Sequence, residues 1–278
     1  MADLITTARA KVNIPSATSA DDATIETLIT AASRAIQRYC RRDFAATAYD
    51  ELYHGSATPR LLLRQYPIIA VQAVRCRPAT VLTVTNTDTA LNQQARVAVT
   101  ATGLALTRVA SGVSTTNAVT FAGNATLTAL AAAVVGVGSG WTAQVLGDYG
   151  SWPAADLRAP QGARSARGRP AGLQLHTAEL TDFRIDERRG WLLRAAWPGG
   201  VHNFRVQYTA GYATVPEDVQ EACAELVATW FVQRGRDLSL RAENAGGSYS
   251  YEADVHAQLP RRLRAVLKPY RAHPLAVE

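Results

Sequence analysis

Between Glu51 and Glu179 this chain contains no glutamate, and within 78–177 its only acids are Asp88, Asp148 and Asp156. That stretch is mostly Ala, Thr, Val and Gly, whereas the flanks carry charged helical periodicity, aromatic-rich strands and Pro/Gly punctuation. Text rich in Thr and Val and poor in charge suits a half-buried pleated surface, so the middle is expected to be β-rich. The 278 residues suffice for one large or two modest domains. The break in composition divides them into 1–77, 78–177 and 178–278, the outer segments being two halves of one domain. The expected fold class is α+β: a helical core with a few β-strands, interrupted by an inserted β-rich domain.

Local signals place the elements. Thr6 or Thr7 caps a short helix that ends before Pro15. Ser19-Ala-Asp-Asp opens the first strong helix, with Ser19 as candidate cap and Asp21 and Asp22 at the positive end of the dipole. Ile25, Leu28, Ile29, Ala32, Ile36 and Tyr39 then recur at helical spacing for about five turns. Glu26, Arg34, Gln37, Arg38 and Arg41 fall on its outer face. Tyr49–Tyr53, Leu61–Leu63 and Ile68–Val74 are strand-like.

In the middle segment, Val81–Thr85, Ala95–Thr100, Leu104–Val109 and Ala118–Phe121 are candidate strands. Thr126 caps a short helix through Leu127, Leu130 and Val134, and Trp141–Leu146 is a further strand. Ala159–Gly172, rich in Pro, Gly and Arg, suggests a mobile linker or long loop. Beyond it, Phe183–Ile185 and Trp191–Leu193 form a hairpin, followed by a strand at Phe204–Tyr208. Pro216-Glu-Asp starts the second strong helix, with Val219, Cys223, Leu226, Val227, Trp230 and Phe231 as its stripe and Gly235 as its stop. After a polar stretch, Glu243–Tyr251, a basic helix runs from Pro260 to Lys268, with Leu259, Leu263, Val266, Leu267 and Tyr270 on one face.

With 47% hydrophobic and 19% charged residues, the composition is that of a soluble globular protein. The N-terminal text lacks a basic n-region and a long apolar stretch, so no signal peptide is expected. The apolar run Leu127–Val137 is broken by Gly136 and too short to span a bilayer, so no membrane partner is expected. Cys40, Cys76 and Cys223 are far apart and form no CxxC or Cys/His spacing, which supports neither a disulfide framework nor a zinc site. The net charge of +6 is carried by arginine, with Lys11 and Lys268 the sole lysines. Guanidinium forks suit phosphate and carboxylate interfaces; a codon preference would give the same composition.

Catalytic signatures are missing: there is no Walker A, HExxH, EF-hand or GxSxG pattern. Gly136-Val-Gly-Ser-Gly looks like a phosphate loop but follows a helix and opens none, so a turn explains it. His54, His176, His202, His256 and His273 are scattered, without helical ligand spacing. The acid pairs Asp21/Asp22 and Glu217/Asp218 sit at helix starts, where the dipole accounts for them. No enzyme, cofactor or metal is expected. Two basic features remain. Arg158, Arg164, Arg167 and Arg169 lie in or beside the loop stretch. Arg261, Arg262, Arg264, Lys268 and Arg271 give the last helix a basic face, which either docks on an acidic partner or DNA path or is simply solvated.

The flanks also carry a specific order of motifs. Leu4-Ile-Thr-Thr-Ala-Arg-Ala-Lys-Val, Asp21-Asp22, Ile25–Ser33, Ile36–Phe44 and Leu61–Val71 occur on one side of the middle segment. Val206–Tyr212, Val215–Ala222, Gly246–Tyr251 and Leu259–Leu263 occur on the other. Together they resemble tailed-phage head–tail connector proteins (head completion or adaptor proteins) over about 1–76 and 180–271, with the long middle segment as the departure. The resemblance implies a structural virion protein of the head–tail junction, made in the host cytoplasm. It would dock on the portal protein as a ring, commonly dodecameric, and extend the channel through which DNA passes without sequence-specific binding. It would also offer the tail or stopper protein a platform. Ser248, Tyr249, Tyr251, Arg261, Arg262, Arg264 and Lys268 are the candidates for portal or neighbour contact, and 243–271 would then be separable from the folded core.

Two alternatives make distinct demands. A β-domain binding module on a connector-like scaffold, recognising tail, host or glycan surfaces, calls for an exposed aromatic cluster from Trp141, Tyr149 and Trp152. A nuclease calls for a carboxylate or histidine constellation.

Overall fold

The computed structural model describes residues 2–158, 162–234, 242–244, 248–250 and 259–272, the two triplets by backbone alone. The chain begins with helix α1 (Thr7–Val12), whose first turn is capped by Thr6 Oγ1 accepting from the Arg9 N–H at 3.3 Å. Helix α2 (Asp22–Cys40) follows a single 3-10 turn at Ser19–Asp21. Entry to that turn is set by Thr18, one residue before the expected cap, where Asp21 reaches back to accept from the Thr18 N–H at 3.0 Å. Arg41, in the left-handed region with φ 55, stops the helix.

Strands β1 (Thr47–Gly55), β2 (Arg60–Leu62) and β3 (Ile68–Asn86) come next. A meander of β4 (Asn92–Val99), β5 (Gly103–Ala110) and β6 (Val113–Thr120) leads to helix α3 (Leu127–Gly136), capped by Thr126, and to β7 (Trp141–Val145). Then come β8 (Arg164–Ser165), β9 (Ala171–Glu179), β10 (Arg184–Asp186), β11 (Trp191–Leu193) and β12 (Gly200–Ala210). Helix α4 (Glu217–Gln233), the paired triplets β13 (Ala242–Asn244) and β14 (Ser248–Ser250), and helix α5 (Arg261–Leu267) complete the order.

The class is α+β, with antiparallel sheets. One sheet runs β1-β12-β3-β7, with β9 also on β3; a second runs β6-β5-β4-β8; a third joins β10, β11 and β2. β3 governs the architecture. Its first part pairs with β12 (Val74 opposite Val206) and its second with β9 (Leu82 opposite Leu173) and β7 (Val84 opposite Ala143). It is a strand of 19 residues, long enough to serve two sets of partners. It continues past residue 78, where the composition changes, with a local irregularity at Arg77 (φ 56).

Three apolar clusters lie along this frame. Ile25, Ile29, Ile36, Val219, Leu226, Leu263 and Leu267 form the helical core. Tyr53, Leu63, Trp197, Phe204 and Tyr208 pack under the first part of β3. Val81, Leu104, Leu127, Trp141 and Leu173 fill the middle segment. Each buried side chain of this kind contributes about 1.5–3 kcal/mol.

Two local expectations need correction. The described part of the supposed linker is ordered by pairing: Arg164 and Ser165 lie opposite Val97 and Arg96, and Ala166 is fully buried. Arg167 donates to the carbonyls of Asn92 and Thr89 at 2.6 and 2.7 Å. Val266 is 38% exposed, because the stripe that enters the core is Leu259, Leu263 and Leu267, spaced four residues apart, and position 266 lies off it.

Candidate functional site

The basic terminal helix is built to present one face. Pro260, with no N–H to leave unpaired, precedes the first turn of α5, and Leu259, Leu263 and Leu267 anchor it in the helical core. Arg261, Arg262, Arg264 and Lys268 are exposed. Arg262 reaches Glu225 of α4 at 3.5 Å, Arg264 Nε donates to the Leu259 carbonyl at 2.8 Å, and the Tyr39 hydroxyl donates to the Arg264 carbonyl at 3.2 Å. Two arginines and no acid occupy the first turn, an unfavourable placement against the helix dipole. Helix stability does not account for that face.

The remaining expected contact residues lie elsewhere. Ser248 and Tyr249 belong to β14, whose backbone pairs with β13 so that Glu243 stands opposite Tyr249. Tyr251 lies outside the described residues. The chain after α5 is tied back to the core: the Tyr270 hydroxyl donates to the Asp218 carboxylate at 2.8 Å, and the Ala272 N–H donates to the Cys40 carbonyl at 2.7 Å. Residues 259–272 are thus part of the helical core, contrary to the expectation of separability for that part of 243–271.

Sequence reasoning missed Arg42. It is 5% exposed, with its guanidinium carbon 4.6 Å from the Tyr66 ring centroid, 5.3 Å from Tyr212 and 5.6 Å from Phe44. It donates to the Tyr66 carbonyl and, at 3.4 Å, to the Tyr270 carbonyl. No carboxylate pairs with it among the described residues. Its charge is held by ring faces and carbonyl dipoles, each ring contact contributing roughly 0.5–2 kcal/mol. Arg42 therefore joins the end of α2, the turn before β3, the β12–α4 connection and the chain after α5.

A second junction fastens the middle segment. Arg205 on β12 bonds Asp50 on β1 and Asp156 from the middle segment, Arg75 on β3 reaches Asp156 at 3.0 Å, and Arg158 adds a bond to Asp50. Burial opposes ionisation of Asp50, but Arg205 and Arg158 outweigh it and hold its carboxyl down at about 2.

The fold also gathers three histidines that are scattered in sequence. His54 stacks on His202 with centroids 4.5 Å apart, and His176 Nε2 lies 2.9 Å from the His202 carbonyl. Burial, foremost, lowers the pKa of His176. No group of three or more His, Cys, Asp and Glu among the described residues is arranged to hold a metal ion. The thiols of Cys40 and Cys223 are pushed up to about 12, chiefly by burial. Gly136 ends α3 and the chain turns over 137–140: the Ser139 carbonyl accepts from Asn86 and Asn92, and a Cβ at Gly140 (φ +81) would lie 2.5 Å from the Asp88 side chain. Trp141 is 2% exposed, while Tyr149 and Trp152 meet edge to face and pack on the middle core. These three rings form no exposed platform of the kind the binding-module alternative needs.

A helical core that includes a basic helix and is joined through Arg42 to antiparallel sheets defines an α+β protein. The chain belongs to the head completion protein family, whose model matches residues 3–129 and 178–273. It is a structural component of the virion's head–tail region. Among solved structures it is similar to a chain from the neck of an empty gene transfer agent particle, with 14% identity over 97% of this chain and 90% of that one and a TM-score of 0.40. It is also similar to a chain from the virion of a native gene transfer agent particle, at 15% identity, the same coverages and a TM-score of 0.38. No match was found among curated proteins.

Proposed function

We propose that this protein docks on the portal as a ring of copies, extends the DNA channel and provides the platform on which the tail or a stopper protein assembles. The observation that carries this is the family match over 3–129 and 178–273, which takes in α2, α4 and α5 and runs on through β4, β5 and β6 of the middle segment. Residues 1–77 and 178–278 form the connector core and 78–177 an inserted β-rich domain, joined to it through β3. Arg261, Arg262, Arg264 and Lys268, with Ser248, Tyr249 and Tyr251, meet the portal or a neighbouring copy. DNA passes the ring without sequence-specific contact. The protein reaches the junction from the host cytoplasm during assembly.

The test is electron microscopy of particles made when the gene is disrupted. DNA-filled or leaking heads beside separate, complete tails are expected. Intact joined particles would overturn the proposal.

A further inference from the structure

Helix α2 carries unmatched charge on the face it turns away from the core. Ile25, Ile29, Ala32, Ile36 and Cys40 are buried; at helical spacing the opposite side runs Ala23, Glu26, Thr27, Thr30, Arg34, Arg38 and Arg41. Near the N-terminal end, Glu26, Thr27 and Thr30 line a hollow of about 550 Å³ together with Asp3. Near the C-terminal end, Arg34, Arg38 and Arg41 line another of about 370 Å³, with Gln37, Arg42 and Asp43. Glu26 and Arg38 stand about 18 Å apart along the helix at ~1.5 Å per residue.

Elsewhere this helical layer pairs its charges: Arg9 with Glu217 and Glu221, Lys11 with Asp22, and Arg234 with Asp21. By contrast, Arg34, Arg38 and Arg41 have no carboxylate partner among the described residues, and Glu26 has no cation. Asp3 accepts a hydrogen bond from Thr30 at 3.2 Å. The basic hollow also contains two unmet buried groups, the donor Arg42 Nε and the acceptor Gln37 Oε1, on side chains 5% and 4% exposed. Exposed arginines without a carboxylate partner, gathered round one hollow, are a ready receptor for a carboxylate. The acids Asp3 and Glu26 at the N-terminal end of the face would repel the phosphates of a duplex lying along it.

We propose that the outer face of α2 is the contact between neighbouring copies, the arginine hollow of one receiving Glu26 and Asp3 of the next. This rests on the ring proposed above and names the surface that builds it. Each copy offers one acidic and one basic end, a head-to-tail contact that propagates and closes where its rotation closes. An antiparallel two-fold pair would use the same charges but stop at two.

The test uses the full chain with Cys76 replaced by Ser, since Cys40 and Cys223 are buried. Oxidising E26C/R38C is expected to give a disulfide ladder beyond the dimer, which neither single variant gives. R34E/R38E and D3K/E26K should each weaken self-association by about a hundredfold or more, read by sedimentation velocity, because like charges then meet. Combining all four changes should restore it. A ladder that stops at two, association indifferent to these charges, or a chain that stays monomeric up to its solubility limit would overturn the inference. So would loss of DNA or inorganic phosphate binding in R34E/R38E with association unchanged. A ring that assembles despite R34E/R38E sinks this surface alone, whereas normal particles from the disrupted gene sink the connector function whatever the ladder shows.

Discussion

Arg205 grips Asp50 through two parallel bonds, Nε to Oδ1 at 2.8 Å and Nη2 to Oδ2 at 2.7 Å, from a side chain that is 3% exposed. Its remaining nitrogen, Nη1, donates to Asp156 at 2.8 Å. The acid-poor middle segment thus commits one of its few carboxylates to the flank, which ties the segment to the sheet by charge as well as by the β3 ladder.

Replacing Arg205 by Leu is expected to destabilise the protein by about 3 kcal/mol, because two partly buried carboxylates lose their main counter-charge. Asp156→Asn should cost about 1 kcal/mol, since the Asp50 fork survives. Urea unfolding of the two variants checks the order; equal effects would show that the fork is not the dominant contact.

Acidification should erode stability in two stages. His176 is held below its ordinary 6.5 by burial, so the contribution from its neutral form is complete above 6.5 and is lost as pH falls below it. Asp50, held at about 2 against 3.8, contributes fully above 3.8 and loses that contribution as pH falls toward 2. The melting temperature followed from pH 8 to pH 2 should show both. His176→Gln should remove the upper stage, and Asp50→Asn most of the lower.

Arg42→Lys keeps the charge but loses the plane that lies against Tyr66, Tyr212 and Phe44. A loss of about 1–2 kcal/mol is expected, measured by thermal unfolding. No loss would mean that the charge alone matters there.

In α5 packing and presentation should separate. Leu263→Ala is expected to cost about 2–4 kcal/mol. R261E/R262E/K268E should change stability by no more than about 0.5 kcal/mol while blocking complementation of head–tail joining. Normal joining by the triple variant would remove α5 from the docking surface.

Cys76 stands opposite Ala178 in the β3–β9 ladder, so a two-residue turn can close the gap when 78–177 is excised. That protein is expected to stay soluble and helical by circular dichroism, because the helical and sheet cores of the flanks keep their own residues. Aggregation would show that the middle segment completes a shared core.

The strong helices were legible because their signals are local. The stripe from Ile25 to Tyr39 and the Pro-Glu-Asp start at 216–218 need no distant partner, and the structure has helices there. The basic face of α5 was legible for the same reason. The junctions were not. Arg42 looked like one more basic residue at a helix end, and nothing in its neighbours announces that Tyr66, Tyr212 and Tyr270 surround it. Val266 was misassigned because a seven-residue helix shows too few turns to define a stripe.

What the sequence determined by itself is therefore the identity of the helices, most strands and the change of composition at the middle segment, since periodicity, caps and turn residues act over a few positions. Tertiary structure alone decided that β3 runs through that change, because its partners β12 and β9 lie roughly a hundred residues or more away in the chain. It alone decided which charges neutralise one another, Arg205 finding Asp50 across 155 positions and Asp156 across 49. Coulomb attraction depends on distance in space and burial, and neither is written in the spacing of residues along a chain.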